Sequence, residues 1–155
     1  MASTVKAATL TTTITEQLTL NGHTYGNTIT CSIASQGEVV QRIMNIPATE
    51  TSVLDLGSST DGLGTVVGDS LAYFRITNLD DTNHVFINVG VDQSGSTDGQ
   101  VTFKLGAKKS LLLMNNQIAI EADDAGAYVL EDIYLIKAKC SAETNVDIEF
   151  IAITA

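Results

Sequence analysis

Histidine, the side chain that most often serves as a general base in enzymes, is rare in this sequence, and its two copies lie far apart. They are His23, after an Asn-Gly dipeptide, and His84, at the start of an alternating apolar run. Both positions are typical of exposed turn residues. A hydrolytic triad needs a nucleophile, a base and an orienting acid, and the sequence has no Gly-x-Ser-x-Gly elbow and no phosphate-binding glycine loop. We therefore predict a protein that is not an enzyme, with no catalytic residues and no cofactor.

Adjacent carboxylates occur at 80–81, 123–124 and 131–132. Paired acids serve glycosidases, but aromatic residues, which stack on sugars, make up only 5% of the chain and include no tryptophan. We interpret these acids as solvated loop residues. The run 92–99 alternates oxygen-bearing side chains, which calcium prefers, but lacks the ligand order and final glutamate of an EF-hand. It predicts a plain hairpin tip, with calcium binding there as an open alternative and no metal site predicted.

Sugar binding without catalysis is a second alternative. Shallow sugar sites use an aromatic ring as a platform, and the candidates are Tyr25 and Tyr128, which lie near glycines in predicted loops. Two cysteines, Cys31 and Cys140, fall within predicted strands. Small buried free thiols are the favoured interpretation, because a disulfide requires a Cα separation that the sequence does not give.

The elements that must position these side chains are β-strands. Residues 11–20 show this best, with Ile14, Leu18 and Leu20 on one parity and threonine on the other. A period of two is typical of a half-buried antiparallel strand. Similar patterns predict strands over 9–20, 28–33, 39–46, 52–56, 71–77, 84–91, 101–105, 110–114, 118–122, 132–140 and 146–153.

Turn signals separate these strands, among them Asn21-Gly22, which suits a tight hairpin turn, and Pro47, which cannot donate to a sheet. No helix of useful length is predicted. The sequence therefore indicates an all-β antiparallel sandwich, jelly-roll-like, of about nine to eleven short strands. Residues 9–155 are predicted to form this single domain, and residues 1–8 an N-terminal arm that could add a strand to a neighbour's sheet.

The composition of the chain limits the classes of partner that it is expected to bind. The chain has 155 residues and a net charge of -10, which argues against binding nucleic acid through its phosphates or adsorbing to anionic membranes. Its start lacks the basic and apolar regions of a signal peptide, so we expect synthesis in a cytoplasm without export.

Two predicted strands, 132–140 and 146–153, are apolar on both sides. In 132–140, strict alternation places Tyr134, Ile136, Ala138 and Cys140 on one face, with Ile133 and Leu135 on the other. Such strands are either central in a covered sheet or pressed against another subunit. The candidate residues for a subunit interface are Val5, Leu10, Ile133, Leu135, Ile151 and Ile153.

Three segments, in order, carry a family resemblance. They are 14–22 (ITEQLTLNG), 40–43 (VQRI) leading to Ile46-Pro47, and 73–83 (YFRITNLDDTN), of which the last is the most specific. In these segments the chain resembles small virion proteins of tailed phages, particularly marine ones. The resemblance covers about half of the chain.

The resemblance implies a non-enzymatic structural protein of the virion. A capsid decoration or cement protein that binds the outer head shell across capsomer seams is the first expectation. A tail, collar or fibre-associated subunit, or a glycan-binding module for host attachment, is the alternative. The expected partners are the major capsid protein or other virion proteins, with a homo-oligomer, preferably a trimer, as the expected state.

Overall fold

Thirteen β-strands form the regular structure of the described residues of this computed structural model, and no helix occurs among them. The structure describes residues 8–35, 39–56, 71–91, 99–115, 118–120, 131–141 and 144–154. The strands are β1 (Ala8–Thr15), β2 (Leu18–Leu20), β3 (His23–Tyr25), β4 (Thr28–Ser35), β5 (Val39–Ile46), β6 (Thr51–Asp55), β7 (Leu71–Asn78), β8 (Val85–Val91), β9 (Gly99–Leu105), β10 (Ser110–Met114), β11 (Ala119–Ile120), β12 (Glu131–Cys140) and β13 (Val146–Thr154).

Two antiparallel sheets pack against each other and form the body of the protein. The first sheet has the strand order β10-β7-β13-β5. In the second sheet, β12 pairs with β8 on one side and with β6 and β11 on the other, and β9 follows β8. The predicted all-β antiparallel sandwich is thus confirmed, while its jelly-roll character stays a prediction.

The core lies between the two sheets, where alternate residues of each strand point inward. Strand β8 contributes four valine and isoleucine side chains, all without solvent exposure, as its alternation predicted. Opposite them, the rings of Phe74 and Phe150 have centroids 6.3 Å apart at an interplanar angle of 37°. Both rings are fully buried, so this pair joins β7 and β13 at the centre of the first sheet's inner face.

A bulge in β12 overturns the face assignment that strict alternation gave for this strand. Ile133 pairs with Val91 and Leu135 pairs with Gly90, so Tyr134 is an extra residue in the ladder. An extra residue reverses the alternation. Ile133 therefore joins the core together with Ile136, instead of lying on the opposite face from it.

The turn after β7 is held by its own side chains. Asn78 is fully buried; its Nδ2 donates to the carbonyl oxygens of Asn83 at 2.8 Å and Leu105 at 3.3 Å. Its Oδ1 accepts from the backbone N–H of Asp80 at 2.9 Å. Asp80 in turn accepts from the N–H groups of Thr82 at 2.7 Å and Asn83 at 2.6 Å. These bonds lower the pKa of Asp80 and fix the turn that the resemblance rests on.

Candidate assembly surface

A long two-stranded ribbon, residues 8–35, is the most prominent feature outside the sandwich; we call it the arm. It differs from the N-terminal arm predicted for residues 1–8, of which residues 1–7 lie outside the described part of the chain. The pairing of the ribbon runs from Ala8 opposite Ser35 to Leu20 opposite His23 in one unchanged register. The turn at its tip is Asn21-Gly22, with φ of 51° and 79°. Two positive φ values are typical of the type I′ turn that suits a two-residue hairpin. At about 3.3 Å per residue the arm is roughly 40 Å long.

The two faces of the arm differ in chemistry. Residues that share a face in the register are mainly apolar on one side, which we call the apolar face: Leu10, Ile14, Leu18, Leu20, Tyr25, Ile29, Cys31 and Ile33, together with Thr12, Glu16, His23 and Asn27. The other side carries mainly threonine, including the facing pair Thr13 and Thr30, whose hydroxyl oxygens lie 3.4 Å apart. Such an apolar face normally lies against a second layer of structure.

Only the base of the arm is covered in this way. Ile33 is buried with Ala72, Tyr73 and Ile153, and Leu10 packs against this cluster half-buried. Tyr73 and Ile153 belong to the outer face of the first sheet, on the side away from the core. Beyond this contact, the described side chains of the arm are all exposed or half-buried, so the arm projects from the body.

A glycine marks an irregular point along the arm. Between β1 and β2 the ladder is interrupted, although the N–H of Glu16 still donates to the carbonyl oxygen of Asn27 at 2.9 Å. Gly26 lies here with φ of 139°, and a Cβ built on it would be 2.0 Å from the carbonyl oxygen of Glu16. Only glycine fits this approach.

Strand β5, the edge strand of the first sheet, carries a second exposed apolar surface. Val39 and Ile43 lie on the outer face and are 60% and 70% exposed. The exposed large apolar residues of the described chain are these two and four from the arm, Leu18, Leu20, Tyr25 and Ile29, at 49–58%. They all fall within residues 18–43, on two surfaces that meet at the base of the arm.

Charge is distributed unevenly between arm and body. The arm contains no lysine or arginine and a single acidic residue, Glu16, out of 26 charged residues in the chain (8 basic and 18 acidic). The arm therefore contributes -1 and the rest of the chain -9 to the net charge of -10. The apolar face is thus close to neutral on a strongly acidic protein.

One ion pair lies on the outer face of the first sheet, beside β5. Arg75 contacts Glu149 at 3.2 Å, and Gln41 donates to the other carboxylate oxygen at 3.0 Å. The hydrogen bond from Gln41, followed by the bond and the positive charge of Arg75, lowers the pKa of Glu149. Both charged side chains are about a quarter exposed. The outer face is therefore apolar at the end that holds Val39 and Ile153, and the ion pair lies beside Ile43, which pairs with Glu149.

The predicted interface residues are spread over several environments. Val5 lies outside the described residues, while Ile133 and Ile153 are each only 4% exposed within the chain itself. Leu10, Leu135 and Ile151 are half-buried, and whether they contact a partner stays a prediction. The six exposed residues of β2 to β5 were not among the predicted interface residues, because a period of two does not show whether a second layer covers the strand.

The other candidate residues do not converge. His23 is exposed on the arm, and His84 is half-buried with its ring edge-on to Phe86 at 5.0 Å. Tyr25 is exposed near the tip of the arm, whereas Tyr128 and the 92–98 part of the proposed calcium loop lie outside the described residues. Within the part of the chain that the structure describes, no three His, Cys, Asp or Glu side chains come close enough to hold a metal.

Neither cysteine forms a disulfide, as predicted, whereas the prediction that the thiols are buried holds for Cys140 and is wrong for Cys31. Cys31 is half-buried on the apolar face of the arm, and Cys140 is buried in the core. The Cys140 thiol donates to the carbonyl oxygen of Thr144 at 3.0 Å. The two thiols therefore differ sharply in access to solvent.

The acidic surface beside the 78–83 turn presents carboxylates that already have partners. Asp81 pairs with Lys108 at 2.9 Å. Asp147 accepts from Asn45 at 2.7 Å, and Asp80 is bonded to its own turn. These bonds tie the turn and the neighbouring strands together.

Comparisons with known proteins identify no family for this chain. No protein-family model, curated protein or solved structure matches this chain. In the described residues, no helix is long and apolar enough to cross a membrane.

Proposed function

We propose that this protein is a non-enzymatic structural protein of a virus particle, a decoration protein that binds the outer head shell and stabilises it across capsomer seams. The observation that carries the assembly part of this proposal is the arm, a ribbon of roughly 40 Å whose apolar face is uncovered beyond its base. Exposed apolar surface is unfavourable by roughly 25 cal/mol per Å². A continuous patch of this kind marks an interaction surface.

The virion part of the proposal is supported by the resemblance to small phage virion proteins. The segment 73–83, which carries that resemblance most specifically, forms a strand and a turn whose side chains are used to hold the fold. It therefore supports the class of protein and supplies no binding residue. The contacts with a shell would come from other surfaces.

The proposed partners are the major capsid protein or another virion protein, and further copies of this chain, with a trimer favoured. Charge gives the two kinds of contact separate surfaces. The acidic body, at -9, suits basic ground on a shell, because complementary potentials steer association. The nearly neutral arm suits a contact that is mainly apolar.

Immunogold electron microscopy of particles, from the lysate in which the protein is made, tests this proposal. Label spread over the whole head is the expected result. Label confined to one vertex or to the tail would replace the decoration role with the alternative of a tail, collar or fibre-associated subunit. Particles without label would contradict the virion assignment.

A glycan array separates the remaining alternative, a module for host attachment. We expect no binding above background for the intact protein. A hit that is lost in Tyr25→Ala and kept in Thr24→Ser, a neighbour on the other face of the arm, would favour sugar recognition instead.

A further inference from the structure

We propose that the apolar face of the arm packs on the outer face of the first sheet of a second copy of this chain, over Val39 and Ile43. The inference rests on the proposed assembly function and names the two surfaces that perform it. It commits to an arm-to-sheet contact, in distinction to an arm-to-arm contact.

The distribution of exposed apolar side chains supports this pairing. The arm beyond its base has four large apolar residues with about half of their surface or more in solvent, and β5 has two. One arm-to-sheet contact, repeated between copies, would cover both sets. An arm-to-arm contact would cover the first set and leave Val39 and Ile43 in water.

The contact inside the chain shows that the two surfaces fit each other. At its base, the arm already packs through Leu10 and Ile33 on the outer face of the sheet, at Tyr73 and Ile153. Ile153 pairs directly with Val39 of β5. The proposed docking surface therefore continues an existing arm-to-sheet contact by one strand, from β13 to β5.

Charge favours a second copy over a charged partner. A copy of the whole chain brings a net charge of -9 outside its arm, so contacts between two bodies are opposed by repulsion. Because the arm carries one charge only, it can reach a second body with little repulsion. A basic partner would gain almost nothing from the arm.

The area available is consistent with a closed oligomer. Beyond its base, from residue 12 to the tip, the arm is roughly 30 Å by 10 Å and covers a plan area of about 300 Å². A stable interface buries about 800 Å² per partner. Each copy in a closed ring or exchanged dimer gives one arm and receives another, so it takes part in two such contacts with a plan area of about 600 Å², twice that of a single open contact.

Sedimentation velocity on the purified full chain tests the contact with three variants. The arm variant carries Leu18→Thr and Leu20→Thr, and the sheet variant carries Val39→Thr and Ile43→Thr. A control carries Thr19→Ser and Thr24→Ser on the opposite face of the same part of the arm. We expect the wild type and the control to associate alike, and each of the other two variants to raise the dissociation constant roughly tenfold or more.

Mixing the two defective variants distinguishes the proposed contact from an arm-to-arm contact. The arm variant keeps an intact sheet and the sheet variant keeps an intact arm. An equimolar mixture keeps one intact arm-to-sheet pair and is expected to associate more tightly than either variant alone, whereas an arm-to-arm contact predicts no gain on mixing. Circular dichroism and urea unfolding identify any variant that has lost the fold; single substitutions Leu20→Thr and Ile43→Thr then replace it.

Two results would overturn the inference. A sheet variant that associates like the wild type while the arm variant dissociates would show that the arm binds elsewhere. A wild type that stays monomeric at roughly 100 µM, where a micromolar contact would be formed, would exclude self-association. In either case labelled heads in the electron micrographs would leave the proposed function standing, so the two failures are distinguishable.

Discussion

Replacing Asn78 by leucine tests whether the turn after β7 is held by this buried side chain. Leucine has a similar size but cannot form hydrogen bonds. The substitution removes the donor to the carbonyl oxygens of Asn83 and Leu105 and the acceptor for the N–H of Asp80. Since Asn78 has no solvent exposure, water does not replace these bonds.

The magnitude follows from the burial of each bond. The hydrogen bond from Asn78 to the carbonyl oxygen of Leu105 is fully buried, and the other two hydrogen bonds are partly buried. A buried group left without a partner costs about 1–3 kcal/mol, and an ordinary hydrogen bond contributes about 0.5–1.5 kcal/mol. We expect the free energy of unfolding to fall by about 3–4 kcal/mol, and Tm by roughly 10 °C.

Urea unfolding followed by far-ultraviolet circular dichroism measures this loss, because the chain has no tryptophan to report by fluorescence. The slope of the transition must stay unchanged for the comparison to hold. Thr82→Ala, at an exposed position of the same turn, is the control and should lose less than about 1 kcal/mol. A loss below about 1 kcal/mol for Asn78→Leu would refute our reasoning about buried donors.

A companion variant, Asn78→Asp, adds a test by pH. Its ionised carboxylate would face the two carbonyl oxygens that Nδ2 now contacts, which raises the pKa of that carboxyl. A raised pKa in the folded state means that the penalty is largest above that pKa and shrinks as the pH falls. The difference from wild type, measured at the same pH, should therefore be smaller at pH 5 than at pH 7, whereas the Asn78→Leu difference should stay constant.

Three further predictions concern the arm, the ion pair and the core. Gly26→Ala should distort the arm and leave the sandwich folded, because the new Cβ would meet the carbonyl oxygen of Glu16 at 2.0 Å; faster hydrogen exchange confined to 8–35 would show it, and unchanged protection there would contradict it. Glu149→Gln should make stability less sensitive to acid: the hydrogen bond from Gln41, followed by the bond and charge of Arg75, lowers the pKa of Glu149 below its usual 4.5, so wild type loses this stabilisation as the pH falls below about 4.5, and equal slopes for both proteins in acid unfolding would argue against it. Phe150→Ala should lose about 3–5 kcal/mol of the free energy of unfolding, and a loss below 1 kcal/mol in urea would mean that this ring does not fill the core.

The strands of the body could be predicted from sequence because their alternation is set by burial on one side. Val85, Ile87 and Val89 recur at every second position, and the structure buries all three. The Asn21-Gly22 turn was also predictable, since the dipeptide favours positive φ. Both signals come from residues close together in the sequence, and the structure agrees with them.

Two features depend on neighbours in space, and sequence patterns did not give them. The bulge at Tyr134 reverses the alternation of β12, and nothing in the run of apolar residues marks the extra residue. The break after Thr15 depends on a close approach between Glu16 and Gly26, which lie on opposite sides of the ribbon, between β1 and β2 and between β3 and β4. Threonine and isoleucine alternated there as in the other strands, so one strand was predicted over 9–20.

The candidate site was the least predictable part. The arm alternates like a half-buried strand, and the pattern does not reveal that, beyond Ile33, the described side chains of its apolar face are exposed or half-buried. One signal was present in the sequence: residues 8–35 contain a single charged residue. A long exposed stretch with few charges is typical of a surface that meets another molecule.

The place of β13 between β5 and β7 has a consequence for how the protein is made. Strands β5 and β7 do not pair with each other; each bonds to β13, which comes last among the described strands. Roughly 100 residues separate the end of β5 from β13, and synthesis at about 5–20 residues per second takes on the order of ten seconds to cross that interval. During this time the first sheet lacks its centre, so the newly made chain must hold two unpaired strand edges apart from other chains until translation reaches β13.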